Sequence, residues 1–425
     1  MLPRPALACA LLLSACLATG EAPAAPAPSS NAGKRGTYQA DLKRFANYKY
    51  WVCVPTSYSD DKPAGLHLYF HGQGGHTGAP HFGQWQNDFL EPFNLIGINM
   101  QYLDGDNMKD TAGKVEAAQD AISQTMADYK VVLRGVVACF SGGGLPSGGL
   151  YAKVAAGPPT AQWPFNHACL YGSNYRTGLH NGFGMSWFIG LGGGEWTLAN
   201  LGDTQTARMS DLLGLEAKGG TPDIHLRIEK EKGHAISAAD VTAAAAQFHR
   251  SDLAAGRFLH EPSWTGKSRP LAALANSLQL GAAETAIAKI LKVANLPEDE
   301  RSRIDRLKLL VDARVEAILK LMPSLIADDA VLASWYGGIF SGQLKGHPRA
   351  KELKDLLAAA GKDPAARKQA QAREAFLKGW PGFLNGGGPQ LQQPLKNAPL
   401  LTQIAELAGE KSLTGIMARE FLLLK

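Results

Sequence analysis

Hydrophobic positions recur in two different rhythms along the chain. Up to about residue 260, short apolar runs alternate with segments of helical spacing, which is typical of a mainly parallel α/β sheet. The run at 131–139 and the run at 185–191 are almost continuously apolar, as central strands covered on both faces are. The runs predict strands at 50–54, 66–70, 95–99, 131–139, 167–172, 185–191 and 224–229. The segments between them predict helices near 81–91, 111–129, 144–155, 204–217 and 238–251.

After Pro262 helical spacing dominates. Apolar side chains recur every three or four residues from Leu307 to Met322, with charged residues between them. We expect the aromatic pair Trp335-Tyr336 to be buried rather than to face a partner. Further helices are predicted at 274–294, 350–360, 364–377 and 400–423, and a loop rich in Gly and Pro at 379–399. The pattern therefore predicts an α/β domain at 38–260 and an all-α region at 270–425, with the boundary near 261–269.

The first residues carry an export signature. Arg4 precedes an apolar run at 6–15, which is too short to span a bilayer, because a spanning helix needs about 20 residues. The run ends in Leu13-Ser14-Ala15-Cys16, which resembles the bacterial lipobox, whose cysteine is acylated and becomes the mature N-terminus. Residues rich in Ala, Pro and Ser follow, as in a flexible tether. We expect a signal peptide at 1–15, an acylated Cys16 and a tether at 16–37, the alternative being an ordinary secretory signal.

An acylated Cys16 implies a protein exported to the bacterial cell envelope and bound to a membrane through its lipid. Leu17 rather than Asp follows the cysteine, and by resemblance to known sorting this favours the outer membrane of a Gram-negative host. If the signal peptide is removed and Cys16 is acylated, Cys53, Cys139 and Cys169 are the remaining thiols. They allow at most one intramolecular disulfide, so the chain is not a disulfide scaffold.

Composition excludes two further classes of protein. The chain has 425 residues, of which 45% are hydrophobic and 19% charged, which suits a globular protein with a sizeable core and argues against disorder. The formal net charge of +5 is small for this length, and the sequence contains no dense basic stripe or zinc-finger pattern. We therefore expect no nucleic-acid partner.

One segment combines a strand, a serine and a helix. The apolar run at 131–139 leads into Ser141-Gly142-Gly143 and then into a helical segment. A serine on such a tight corner has a strained backbone and an exposed hydroxyl, and small neighbours are needed because the helix packs closely there. The usual pattern is G-x-S-x-G, and Cys139 departs from it at the first position.

Two other segments fit the same chemistry. A predicted strand ends in His71-Gly72-Gln73-Gly74-Gly75, where glycines let backbone N–H groups approach a developing oxyanion. His234 follows the last predicted strand of the sheet, where a general base would enter the site. Each segment has a simpler interpretation as a tight turn or an ordinary histidine. All three segments follow a predicted strand, and the serine precedes the histidine in the chain. Together these features indicate a serine hydrolase more specifically than any one of them alone.

Residues from about 48 to 250 resemble the α/β-hydrolase superfamily, and within it secreted esterases related to polyhydroxybutyrate depolymerases and feruloyl esterases. The resemblance rests on Tyr50-Trp-Val-Cys-Val-Pro55, on His71-Gly72 and on Cys139-Phe-Ser141-Gly-Gly143. It implies a doubly wound, mainly parallel sheet, with Ser141 as nucleophile and His234 as general base and then acid. It also implies that the backbone N–H groups of Gln73 and Gly142 form the oxyanion hole.

The sequence offers three candidates for the acid of the triad. Glu195 follows the predicted strand at 185–191, where the similar esterases usually have an Asp, and either carboxylate can orient an imidazole. Asp203 is the rival, although its position before Thr204 predicts a helix cap. Asp223, at the start of the last strand, is a weaker candidate.

The sequence therefore predicts a serine hydrolase of small or polymeric carboxylic esters that works through an acyl-enzyme. Such a hydrolase requires no cofactor and no metal. We expect His76, His81 and His180 to be ordinary loop residues rather than metal ligands. Two alternatives remain: a peptidase of the same fold, and a hydrolase-like binding module that has lost activity.

Overall fold

The computed structural model describes residues 26–42, 44–46, 48–73, 81–102, 110–154, 159–161, 163–173, 185–192, 216, 220–379 and 398–423. Within these residues, no helix combines the length and the apolar character that crossing a bilayer demands. The described chain comprises one sheet with helices on both faces, followed by a long helical region. This architecture confirms the predicted fold class.

The sheet has eight strands in the order β1-β2-β4-β3-β5-β6-β7-β8. β2 runs antiparallel to its neighbours β1 and β4, and all other neighbouring strands are parallel. The carboxyl ends of β3 to β8 therefore lie along one edge of the sheet. The strands are β1 (Gly36–Asp41), β2 (Tyr48–Val54), β3 (Ala64–Phe70), β4 (Leu95–Tyr102), β5 (Val131–Phe140), β6 (His167–Tyr171), β7 (Ser186–Gly192) and β8 (Ile224–Glu229).

Helices of the α/β part cover the two faces of the sheet. They are α1 (residues 83–93, with a π-helical turn at Gln86–Leu90), α2 (Thr111–Asp128), α3 (Gly144–Val154) and α4 (Ala238–Ala255). The strands alternate between two buried clusters: Leu66, Leu68 and Phe70 of β3 face the same core as α2 and α3. Tyr69, between them, packs with aromatic residues of α1 and α4 on the other face. Both faces are therefore covered, as in a doubly wound sheet.

The packed chain begins earlier than the predicted boundary at residue 38. Gly36–Asp41 form the edge strand β1, which the sequence analysis missed because only alternate residues of this short strand are buried. Before it, the backbone N–H and hydroxyl of Ser29 donate to the Asp128 carboxylate, each at 2.6 Å. The Tyr129 hydroxyl donates to the Lys34 carbonyl at 2.7 Å. The second half of the predicted tether is thus packed against the end of α2.

The helical region contains more helices than the sequence predicts, because two predicted helices are divided. The predicted helix at 274–294 is two helices, because Leu278 has a left-handed backbone with φ of +60°. The predicted helix at 400–423 also divides, at Gly409 with φ of +80°. The observed helices are α5 (Ser268–Asn276), α6 (Leu280–Leu291), α7 (Glu298–Asp328), α8 (Ala330–Gln343), α9 (Ala350–Ala360), α10 (Pro364–Gly379), α11 (Ala398–Ala408) and α12 (Leu413–Leu422).

The helical region is not a separate lobe, because it shares a continuous apolar core with one face of the sheet. A buried polar junction also joins the two parts. The Tyr336 hydroxyl of α8 donates to Asp223 at 2.6 Å, and Arg250 of α4 pairs with the same carboxylate at 2.9 Å. The prediction that the Trp335-Tyr336 pair is buried is therefore confirmed for Tyr336, which is only 2% exposed.

Candidate functional site

The candidate nucleophile, Ser141, lies between the end of β5 and the start of α3. Its backbone is left-handed, with φ of +50°, and it opens a single 3₁₀ turn at Ser141–Gly143. Residues other than glycine rarely adopt this backbone conformation, and such backbone strain is concentrated at functional positions. A Cβ at Gly143 would lie 2.3 Å from the Phe70 carbonyl oxygen, so only glycine fits there. The elbow that the sequence predicted is present.

The loop after β3 lies directly beside Ser141. A Cβ added to Gly72 would lie 3.3 Å from the Cβ of Ser141 and 2.7 Å from the Phe140 ring. His71 is buried, and its Nδ1 lies 2.7 Å from the Gly72 carbonyl oxygen. Gln73 follows as an exposed turn residue. The absence of a side chain at Gly72 thus lets the main chain of this loop approach Ser141.

His234 lies on the connection between β8 and α4 and is exposed. Its ring packs against Phe140, the residue before Ser141, with ring centroids 4.7 Å apart. The connection also contacts the end of β7, because a Cβ at Gly192 would lie 2.3 Å from the carbonyl oxygens of Lys232 and Gly233. Ser141, the Gly72 loop and His234 are therefore gathered at the carboxyl edge of the parallel strands, where ligands bind in open α/β sheets.

The departure at Cys139 has a structural explanation. Its side chain is fully buried in the core below the elbow, and burial raises the pKa of the thiol to about 12. The thiol therefore stays protonated at neutral pH and is not a rival nucleophile. Cys53, Cys139 and Cys169 are all buried free thiols, so none of these three forms a disulfide.

Ser173 is a residue of the site that the sequence analysis missed. Its hydroxyl donates to the Ser141 carbonyl oxygen at 2.8 Å and also hydrogen-bonds with the Cys139 thiol. It follows β6, so a serine just beyond the carboxyl end of a central strand was the signal that could have found it. The contact fixes the backbone of the candidate nucleophile from the neighbouring strand.

Two candidate acids, Glu195 and Asp203, lie outside the described residues, as do Cys16, His76 and His180. Asp223 is described, and it does not belong to this site. It precedes β8, at the opposite edge of the sheet from His234, and its carboxylate pairs with Arg250. The nearby positive charge of Arg250 keeps the pKa of Asp223 below its usual value despite burial.

Within the described part of the chain, one group of side chains has metal-ligand chemistry. Glu284, Asp312 and His347 bring their ligand atoms within 4.8 Å of one another on the helical region. Lys308 already offsets part of the negative charge of this group, with its ammonium 3.5 Å from Glu284 and 2.7 Å from Asp312. His347 Nδ1 accepts the Arg349 N–H at 3.1 Å, which leaves the proton of the neutral ring on Nε2. The group is therefore an ion-pair cluster rather than a preformed cation site.

The strand order, the single antiparallel strand β2, and a strained serine between β5 and α3 decide the architecture. This is the α/β-hydrolase fold. In the described residues it extends from β1 to the end of α4, and the helical region follows it.

No protein-family profile matches the sequence, and no curated protein matches it. Among solved structures, the chain is similar to the poly(3-hydroxybutyrate) depolymerase LpqC from Bordetella parapertussis, with 14% identity and a TM-score of 0.36, over 50% of this chain and 89% of that one. It is also similar to a butyrate-bound esterase from Thermogutta terrifontis, with 16% identity and a TM-score of 0.35, over 50% and 92% of the two chains. A third similar structure is the Francisella virulence factor BioJ, with 11% identity and a TM-score of 0.34, over 49% and 77%.

Proposed function

We propose that this protein is a serine hydrolase that cleaves carboxylic esters through an acyl-enzyme. The observation that carries the proposal is the left-handed backbone of Ser141 at the elbow, with Gly72 beside it. His234 lies against the residue that precedes this serine. A nucleophile, a glycine loop able to present N–H groups and a histidine at one sheet edge are the parts that acyl transfer needs.

In the proposed reaction, the Ser141 hydroxyl attacks the acyl carbonyl while His234 accepts the hydroxyl proton. The backbone N–H groups of Gln73 and Gly142 stabilise the negative charge that develops on the carbonyl oxygen. His234 then gives its proton to the departing alcohol, and the acyl group remains on Ser141. Water, deprotonated by His234, attacks the acyl-enzyme. His234 then returns this proton to Ser141 Oγ as the acyl C–O bond breaks, which releases the carboxylic acid and restores the serine. In each step of this reaction, the proton moves between His234, Ser141, the alcohol and water.

Two measurements test the proposal. A fluorophosphonate probe is expected to modify Ser141, located by mass spectrometry of the labelled peptide, and chromogenic esters of increasing acyl length are expected to be hydrolysed. Labelling with turnover of peptides but not of esters would instead identify a peptidase of the same fold. An unlabelled Ser141 would identify an inactive binding module.

We further propose Glu195 as the acid that orients His234. Gly192 contacts the carbonyl groups of Lys232 and Gly233, immediately before His234 in the chain. Glu195 is three residues beyond Gly192, and three residues of extended chain span at most about 11 Å. Asp203 is eleven residues beyond Gly192, so this contact restricts its position far less.

Glu195→Gln is expected to lower kcat by about 10⁴-fold, because an amide cannot stabilise the imidazolium or hold the required tautomer. Asp203→Asn, the matched control, is expected to leave kcat within threefold and the melting temperature little changed, since asparagine caps a helix about as well as aspartate. Steady-state kinetics and thermal unfolding of both variants decide the assignment. The reverse order of effects on kcat would assign the role to Asp203.

Export and lipid anchoring at Cys16 form the remaining part of the proposal. A diacylated and N-acylated cysteine provides more than one acyl chain, and two membrane signals give stable anchoring where one does not. The wild type is expected in the membrane fraction with the mass of a lipidated chain, and Cys16→Ala is expected to lose both properties. Cys9→Ala is the control and should change neither. A membrane-bound Cys16→Ala variant of unchanged mass would contradict lipidation.

A further inference from the structure

The last helix of the chain contacts the strand that leads to His234. Among the strands that the structure describes, β8 is an edge strand, so one row of its backbone N–H groups has no described strand to pair with. α12 packs along this edge, and the Glu420 side chain accepts the Ile228 N–H at 3.0 Å. Ile228 is the penultimate residue of β8 and lies six residues before His234. The helical region thus fixes the end of the strand from which the His234 connection begins.

The connection from β8 to α4 is folded around one buried carboxylate. Asp240 is fully buried, and it accepts from Arg227 at 2.5 Å and pairs with Lys232. Ser237 and Asp240 form a reciprocal capping box at the start of α4. Glu229 accepts from Arg227 at 3.0 Å and from Ser237 at 2.7 Å. Both ends of the segment that carries His234 are therefore held by the same set of charges.

Glu420 lies beside these charges. Burial raises the pKa of its carboxyl to about 8, and the negative charge of Asp240 adds to the shift, while the Ile228 N–H, Arg227 and Lys232 oppose it. At neutral pH the carboxyl is therefore mostly protonated, which avoids repulsion with Asp240. This position requires a neutral side chain with an oxygen that accepts the Ile228 N–H. Glutamine is neutral and has such an oxygen.

We propose that Glu420 is a positioning residue for His234, through which the C-terminal helical region sets the geometry of the catalytic histidine. The inference rests on the proposed function of His234. Loss of the Glu420 oxygen leaves the Ile228 N–H without its acceptor at a buried edge, and the end of β8 shifts to find another. A displacement of the base by a fraction of an ångström changes kcat more than substrate binding.

The test compares three variants of the full chain with the wild type, using a chromogenic ester. Glu420→Leu is expected to lower kcat about tenfold with KM within twofold, a loss in the range that small misplacements of catalytic groups produce. Glu420→Gln keeps the acceptor and is expected to retain at least one third of wild-type kcat. Glu406→Ala, at an exposed position on the neighbouring helix α11, is the control and is expected to be unchanged.

Hydrogen exchange gives a readout that does not depend on activity. Amides of 228–236 are expected to exchange at least tenfold faster in Glu420→Leu than in Glu406→Ala, at a pH and temperature where both remain folded. Equal kcat and equal exchange in these two variants would overturn the inference while leaving the proposed function intact. Failure of Ser141→Ala to abolish turnover would overturn the proposed function instead, and faster exchange would then report only a structural contact. If Glu420→Leu does not fold, a tenfold loss of kcat in Glu420→Gln would overturn the inference, because glutamine keeps the bond.

Discussion

Ser141→Ala is expected to lower kcat for ester hydrolysis by about 10⁴–10⁶-fold, because alanine removes the atom that forms the acyl-enzyme. His234→Ala is expected to lose activity over the same range, since the hydroxyl then has no base. The two residues act as a unit, so the double variant is expected to be about as slow as either single variant. Steady-state kinetics with a chromogenic ester, together with circular dichroism to confirm folding, measure this.

Ser277→Ala serves as the control for this prediction, because Ser277 is an exposed serine of the helical region. It is expected to match the wild type in both kcat and melting temperature. A folded Ser141→Ala variant with kcat within tenfold of the wild type would move the active site elsewhere.

Acid is expected to unfold the protein through three histidines buried in the sheet. His67, His167 and His225 are fully or almost fully buried, and burial lowers the pKa of each to about 3. The unfolded chain binds protons at these residues below about pH 6.5 and the folded chain does not. These histidines therefore do not lower the free energy of unfolding above pH 6.5. They lower it progressively as the pH falls from 6.5 towards 3.

The magnitude is large relative to a typical stability. Each histidine contributes a loss of about 1.4 kcal/mol per pH unit across this window. Glu420 acts in the opposite direction, because its raised folded pKa of about 8 makes protonation favour the folded state. For these four residues together the net loss is about 3 kcal/mol per pH unit between pH 6 and 5, against a total stability of roughly 5–15 kcal/mol for most proteins.

Chemical denaturation at several pH values measures this slope, and one substitution isolates a single histidine. His67→Phe is expected to reduce the slope of unfolding free energy against pH by about 1.4 kcal/mol per unit, because phenylalanine cannot titrate. Ser277→Ala, at an exposed position that does not titrate, is expected to leave the slope unchanged. Equal slopes for the wild type and His67→Phe would show that His67 does not have a strongly lowered pKa in the folded protein.

The α/β sheet could be predicted from the sequence because its central strands are covered on both faces. Such strands are continuous apolar runs, and all seven predicted runs match strands, with small differences in their ends. β1 was missed, because a short edge strand buries only alternate residues and resembles a loop in sequence. The breaks at Leu278 and Gly409 were missed because each depends on a single left-handed residue inside helical spacing.

The candidate site was predictable where a motif is continuous in sequence. Ser141 and Gly72 each lie just after a strand, in a segment rich in glycine, and close backbone packing requires glycine at positions 72 and 143. The position of Ser173 just after β6 was a signal in the sequence, but its contact with Ser141 depends on β6 lying next to β5. Asp223 could be set aside only once its pairing with Arg250 was known.

The sequence by itself determined the elements and the elbow, because hydrophobic periodicity and glycine placement act over a few neighbouring residues. Only the tertiary structure decided the relation between the two parts of the chain. The contact of Tyr336 with Asp223 joins residues 113 positions apart, and that of Glu420 with Ile228 joins residues 192 positions apart. The physical reason is that burial of polar groups requires partners, and the chain finds these partners only when distant segments pack together.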